Sequence, residues 1–117
     1  MTPRSMAFGA AVLALTLGAQ RAVAQAPDGK QLYTDNCKKC HGVLGTPPKA
    51  MKEQFPKIAT FDAAFLAKHT QDSIVTILTK GKGEDMKSFK TKLTPPETAA
   101  VAGYVRELAN RPRPGGE

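Results

Sequence analysis

The pentapeptide Cys37-Lys38-Lys39-Cys40-His41 constrains this chain more than any other feature. In a C-x-x-C-H run each thiol can add to one vinyl group of haem, and the adjacent imidazole can project a nitrogen at the iron. Cofactor, register and ligating face are then set together, and the rest of the chain must wrap a flat, largely apolar ring. The same spacing also serves a structural disulfide, half a zinc site or a redox dithiol. A zinc site wants two further Cys or His ligands at short spacing, and beyond His41 the chain offers only the distant His69. A thioredoxin-like dithiol wants a strand before the motif and a βαβ pattern around it, and neither pattern is present.

The stretch ahead of the motif predicts export. Arg4 forms a basic start, an apolar run follows from Met6 to Ala19, and Ala22-Val23-Ala24 is an A-x-A cleavage signal, so residues 1–24 read as a signal peptide. Cleavage after Ala26 would place Pro27 just past the scissile bond, and an uncleaved anchor suffers from a short run flanked by Arg21. Removing 24 of 117 residues leaves a single small domain with a limited core, for which a covalent cofactor is a staple. Outside the cytoplasm free thiols oxidise, whereas thioethers leave nothing to oxidise. The expected location is the periplasm, and no later run is long enough to insert the mature chain stably in a bilayer.

The formal net charge is +7, and Arg4 and Arg21 account for two of those charges. Nucleic acid is a poor fit as a target for an exported chain without aromatic interleaving or a binding motif. Lys38 and Lys39 lie inside the motif, and Lys80, Lys82, Lys87, Lys90 and Lys92 crowd a later segment. Most are solvated side chains, but such clusters also steer redox protein partners with acidic docking surfaces.

Periodicity predicts an all-α domain over residues 25–110. Asp28 caps a first helix, with Gln31 in capping-box position, running from about Gly29 into the motif. Residues 42–59 are too rich in Gly and Pro for regular structure and read as a loop along the haem edge. Short helices follow over Phe61–Lys68 and from Thr70 to Lys80, with Ile74, Ile77 and Leu78 on one face and His69 as an ordinary boundary residue between them. Thr94-Pro95-Pro96-Glu97 opens the last helix with a capping box, and Val101, Tyr104, Val105 and Leu108 form its inward stripe. Residues 111–117 read as a flexible tail. Between the last two helices, Met86 sits in a Gly-rich loop without amphipathic pattern, where its thioether could complete the iron's coordination. Met51, the other methionine of the mature chain, follows His41 too closely to reach the far face.

With these features the chain resembles class I c-type cytochromes, the small soluble single-haem kind of bacterial periplasms. Gly29, Tyr33 and Cys37 match the family's Gly and aromatic residues on the first helix, and Val101 with Tyr104 match their partners on the last. The resemblance implies three to five helices wrapped around one covalent haem c, with Cys37 and Cys40 as thioether positions and His41 and Met86 as the iron's axial ligands. It also implies that the carbonyl of Pro47 or Pro48 accepts a hydrogen bond from His41. One departure is that Lys87 follows Met86 where the family commonly has proline, which frees φ and restores a backbone donor.

The reading is a non-enzymatic one-electron carrier. Its rivals are a haem enzyme or gas sensor with an open sixth position, for which no distal His or Arg is identifiable, an exported thiol-disulfide protein, and a haem subunit of a larger dehydrogenase or oxidase.

Overall fold

The computed structural model of the protein describes residues 25–113; the expected signal peptide, and residues 114–117 of the expected tail, lie outside the described residues. Side-chain caps set most of the helix starts. Asp28 accepts from the Gln31 amide at the start of α1 (Gly29–Asn36), Asp62 from that of Phe65 at α4 (Ala63–Lys68), and Thr70 from that of Ser73 at α5 (Gln71–Lys80). Each satisfies a backbone donor that the first helical turn leaves unpaired. Between α1 and α4 lie α2 (Lys38–His41) and α3 (Lys49–Gln54). The last and longest, α6 (Pro95–Asn110), has both halves of its box: Glu97 N–H donates to Thr94 Oγ1 at 3.4 Å and Thr94 N–H to Glu97 Oε2 at 2.7 Å.

Three details differ from the sequence reading. The first helix is broken at Cys37 (φ −122°), which ends α1 and starts α2. Gln31 does not close a box at Asp28; its side-chain amide donates to Asp35 instead. A helix, α3, also interrupts the expected loop. Gly and Pro are frequent across residues 42–59 but absent from Lys49–Gln54, whose residues are good helix formers lying between Pro48 and Phe55-Pro56. The average composition hid a short local exception.

Among the described residues there are helices and one isolated antiparallel bridge, Lys82 with Met86, and no named strand. Helix α6 is the hub, packing on α1, α5 and α4. Val101, Tyr104, Val105 and Leu108 are all buried, joined by Ala102 and Ala109, and they meet Tyr33, Phe61, Ile74, Leu78 and Leu93. Burying each of the larger side chains contributes about 1.5–3 kcal/mol relative to exposure.

The α1–α6 crossing depends on Gly29. A Cβ there would lie 2.2 Å from the Ala100 carbonyl oxygen and 3.2 Å from Tyr104 Cβ. With no side chain at this point the helices close, and one turn later Tyr33 meets Tyr104 edge to face at 5.3 Å between centroids. The crossing aims α1 so that the chain emerging from it presents Cys37.

Candidate haem site

The motif occupies a single tight turn. Cys37 is buried at the α1–α2 junction, and its carbonyl accepts from both Cys40 and His41 amides, at 3.2 and 3.0 Å. Cys40 is half-buried, and both thiols are free. Burial first, and then the neighbouring Cys40, push the Cys37 thiol up to about 11. That is opposite to the depressed nucleophilic thiol of a redox C-x-x-C. Among the described residues no group of three or more His, Cys, Asp or Glu is arranged to hold a metal ion by itself.

Two neighbours far along the chain orient His41. Its Nδ1 lies 3.3 Å from the Ala59 carbonyl, and its ring stacks on Phe61 at 4.8 Å with 19° between planes. Burial lowers its pKa, partly offset by the bond to Ala59, so the neutral imidazole is favoured. A carbonyl can only accept, so this bond puts the imidazole proton on Nδ1 and leaves the Nε2 lone pair free. The carbonyl at Nδ1 is thus Ala59's rather than that of Pro47 or Pro48. Pro47 is buried within the loop and Pro48 is exposed at the start of α3, while the Phe61 amide donates to Gly45 at 2.8 Å and so draws residues 59–61 beside the motif. The sequence held one available signal for this arrangement, an isolated aromatic, Phe61, next to the Asp62 cap.

Tyr33 braces the turn from beneath. Its hydroxyl donates to the Gly42 carbonyl at 2.7 Å inside the core, and burial raises its phenol far above the usual range. Arg113, at the start of the expected tail, donates to the Phe61 carbonyl and to Thr46 Oγ1, so the chain end reaches the segment that packs on His41.

Met86 lies in the segment joining α5 to α6, half-buried against the core. Its backbone pairs with Lys82 in both directions (Lys82 N–H to Met86 O at 2.8 Å, Met86 N–H to Lys82 O at 3.4 Å). Ser88 Oγ donates to the Thr79 carbonyl, and the Phe89 amide to the Leu78 carbonyl at 2.8 Å. These bonds hold the loop that lacks a proline after its methionine. Met51 lies in α3, outside the core cluster. His69 ends α4 with its ring against Phe65 and Nδ1 3.3 Å from Ser73 Oγ, and its carbonyl accepts from Arg106 at 3.0 Å, the setting of a structural histidine.

These residues suit a haem. Two unpaired thiols and an oriented imidazole share one turn, and Leu32, Phe65, Leu66, Val75, Met86 and Phe89 form a half-buried apolar layer on the core, available to an apolar ring. An open groove of about 510 Å³ between Pro27–Lys30 and Ala100–Arg111 is lined by none of them.

An all-helical domain built on such a turn is a small c-type cytochrome. The family model "Cytochrome C oxidase, cbb3-type, subunit III" matches residues 24–105, and the chain belongs to that family of cytochrome c domains. Among solved structures it is similar to the KustC0563 c-type cytochrome, with 37% identity and a TM-score of 0.64 over 71% of this chain and 99% of that one. It is also similar to a mutant of Kustc0563, with 36% identity and a TM-score of 0.62 over 69% of this chain and 98% of that one. No match was found among the curated proteins. Membership brings a covalently bound haem c with its iron, and haem-based electron transfer between redox partners. Among the described residues no helix is long and apolar enough to cross a membrane.

Proposed function

We propose that the protein is a one-electron carrier of the periplasm, exported by residues 1–24, in which Cys37 and Cys40 hold haem through thioethers and His41 and Met86 ligate its iron. The bound haem supplies the one-electron couple. The observation that carries the reading is the turn itself: two free thiols with an imidazole whose Nδ1 is engaged by Ala59, leaving Nε2 to coordinate. The chain's own work is to orient that ring, to cover it with the apolar layer and to keep a soft thioether within a pinned loop. A neutral sulfur ligand favours the reduced iron and raises the potential. With His41 and Met86 both holding the iron, no further ligand would need to bind the metal, which suits a carrier rather than an enzyme.

The test is the ferric absorption spectrum of the haem-loaded protein at neutral pH. A weak long-wavelength sulfur-to-iron band that disappears in Met86→Ala and survives in Met51→Ala supports the reading. A high-spin spectrum without that band refutes Met86 ligation and points to an open-site enzyme or sensor. A second reading, a haem subunit of an oxidase complex, is favoured by the family's description. Co-purification of the chain with a membrane oxidase from its native source would establish that association.

A further inference from the structure

We propose that Arg113 is a positioning residue for the haem ligand: it fastens the segment that orients His41 and through that ring sets the potential of the iron. The inference rests on the reading of His41 as that ligand. Local chain chemistry delivers the side chain. Pro112 cannot continue α6, and a residue before proline is pushed out of helical backbone. Arg111 accordingly ends the helix in extended conformation (φ −74°, ψ 138°), and the chain departs from the helix there. Arg113, flanked in sequence by Pro112 and Pro114, has few backbone conformations to lose when it is fixed. Its half-buried guanidinium bridges two loops remote in sequence, Nη2 donating to the Phe61 carbonyl and Nη1 to Thr46 Oγ1. The ion pairs among the described residues are Lys49 with Glu53 and Arg111 with Glu107, so the fork of Arg113 serves a carbonyl and a hydroxyl rather than a carboxylate.

What it fastens decides the consequence. Residues 58–61 are irregular chain between α3 and α4, and the Phe61 amide ties them to Gly45 at 2.8 Å. Arg113 adds a second tie, from the Phe61 carbonyl to Thr46, the residue after Gly45. The Phe61 ring lies on His41 at 4.8 Å, and the Ala59 carbonyl accepts from Nδ1 at 3.3 Å, so both contacts that orient the ring come from this segment. They gather on the ring face and at Nδ1, leaving Nε2 to the metal. A bond at Nδ1 makes the imidazole a stronger donor at Nε2, which favours ferric iron and lowers the potential. At 3.3 Å that bond is already long, and about 0.3 Å more would end it. Loss of Arg113 therefore raises the potential. Loss of a positive charge acting directly on the haem would lower it, because a cation disfavours the ferric state. The two roles differ in sign.

The experiment compares the ferrous and ferric holoproteins by voltammetry and by ¹H–¹⁵N spectra that follow solvent exchange of the His41 Nδ1 proton. Arg113→Gln and Arg113→Lys should both shift the equilibrium about threefold toward ferrous iron, about 30 mV upward at ~59 mV per tenfold, and speed that exchange. Lysine keeps the charge but cannot reproduce the planar fork. Thr46→Val should move both readouts the same way by less, and should add nothing to Arg113→Gln. Arg111→Gln removes the same charge two residues away and should leave both unchanged. Unaltered Nδ1 exchange in Arg113→Gln would overturn the proposal, as would an Arg111→Gln effect of equal size. So would a potential that falls in Arg113→Gln and holds in Arg113→Lys, which would make Arg113 a charge on the haem rather than a brace for its ligand. His41→Ala separates the two levels. If the iron's spectrum ignores that substitution, the ligand reading fails and this proposal with it; if the spectrum responds while both readouts ignore Arg113→Gln, only this proposal fails.

Discussion

Replacing Gly29 by Ala tests the helix crossing on which the haem turn depends. The added Cβ would lie 2.2 Å from the Ala100 carbonyl oxygen, and that backbone atom cannot rotate away. An ordinary carbon–oxygen contact is about 3.3 Å, so α1 and α6 must separate by about 1 Å locally. Overpacking of this kind costs about 1–3 kcal/mol. The Tyr33–Tyr104 contact, one turn away at 5.3 Å, is loosened by the same displacement and risks a further ~0.5–1.5 kcal/mol. Against these, replacing Gly returns about 0.5–1 kcal/mol of backbone entropy. The net is a loss of about 1–3 kcal/mol, which for a domain of this size lowers Tm by roughly 5–20 °C. Gly103→Ala is the matched control. Gly103 lies within α6, exposed, and a methyl group added there would meet nothing within 4 Å, so the same exchange should stabilise by about 0.5–1 kcal/mol. Guanidinium unfolding of the two holoproteins, followed by far-ultraviolet circular dichroism, compares them directly. If both substitutions stabilise, the close crossing at Gly29 is not what holds α1 on α6.

Tyr33→Phe leaves the buried Gly42 carbonyl without its donor and should cost about 1–3 kcal/mol in the same assay. Burial, ahead of smaller effects from Cys37 and Tyr104, raises the Tyr33 phenol, so the native state keeps a proton that the unfolded state releases above about pH 10. This contribution is complete below that pH and is lost as pH rises further; Tyr33 phenolate absorbance should therefore appear together with unfolding, and Tyr33→Phe should remove it. Thr94→Ala removes the hydroxyl that accepts from the Glu97 amide, leaving only the backbone half of the α6 capping box, and should lower stability by about 1 kcal/mol, with Thr94→Ser recovering most of it. Ser88→Ala removes the bond to Thr79 and the one accepted from the Lys90 amide, loosening the Met86 loop. The expected loss is about 1 kcal/mol in the guanidinium assay, and an unchanged unfolding free energy would show that Ser88 does not hold the loop.

Much of the fold was legible because it is specified locally. Asp28, Thr70 and Thr94 mark helix starts through side chains that bond amides three residues ahead, and Gly81 follows the last residue of α5. The stripe Val101, Tyr104, Val105 and Leu108 needs only the helical period to be read, and all four are buried. Short elements were harder: α3 holds six residues inside a stretch whose average composition opposes helix. At the site, the motif's residues are contiguous and announced themselves, whereas the atoms that support them do not.

The order of residues alone carried two thiols and an imidazole at C-x-x-C-H spacing, the capped starts of the longer helices and the basic charge around the motif, and the resemblance added the glycine and tyrosines where the first and last helices meet. Which atoms complete the site was left to the folded chain. Ala59 rather than Pro47 or Pro48 faces His41 Nδ1, Phe61 covers the ring, and Arg113 returns from the chain end to Phe61. The physical reason is range. Caps, turns and helical stripes act within one or two turns of chain, so spacing encodes them; a backbone carbonyl has the same chemistry at every residue, and which one reaches His41 is chosen by the path the chain takes around its core.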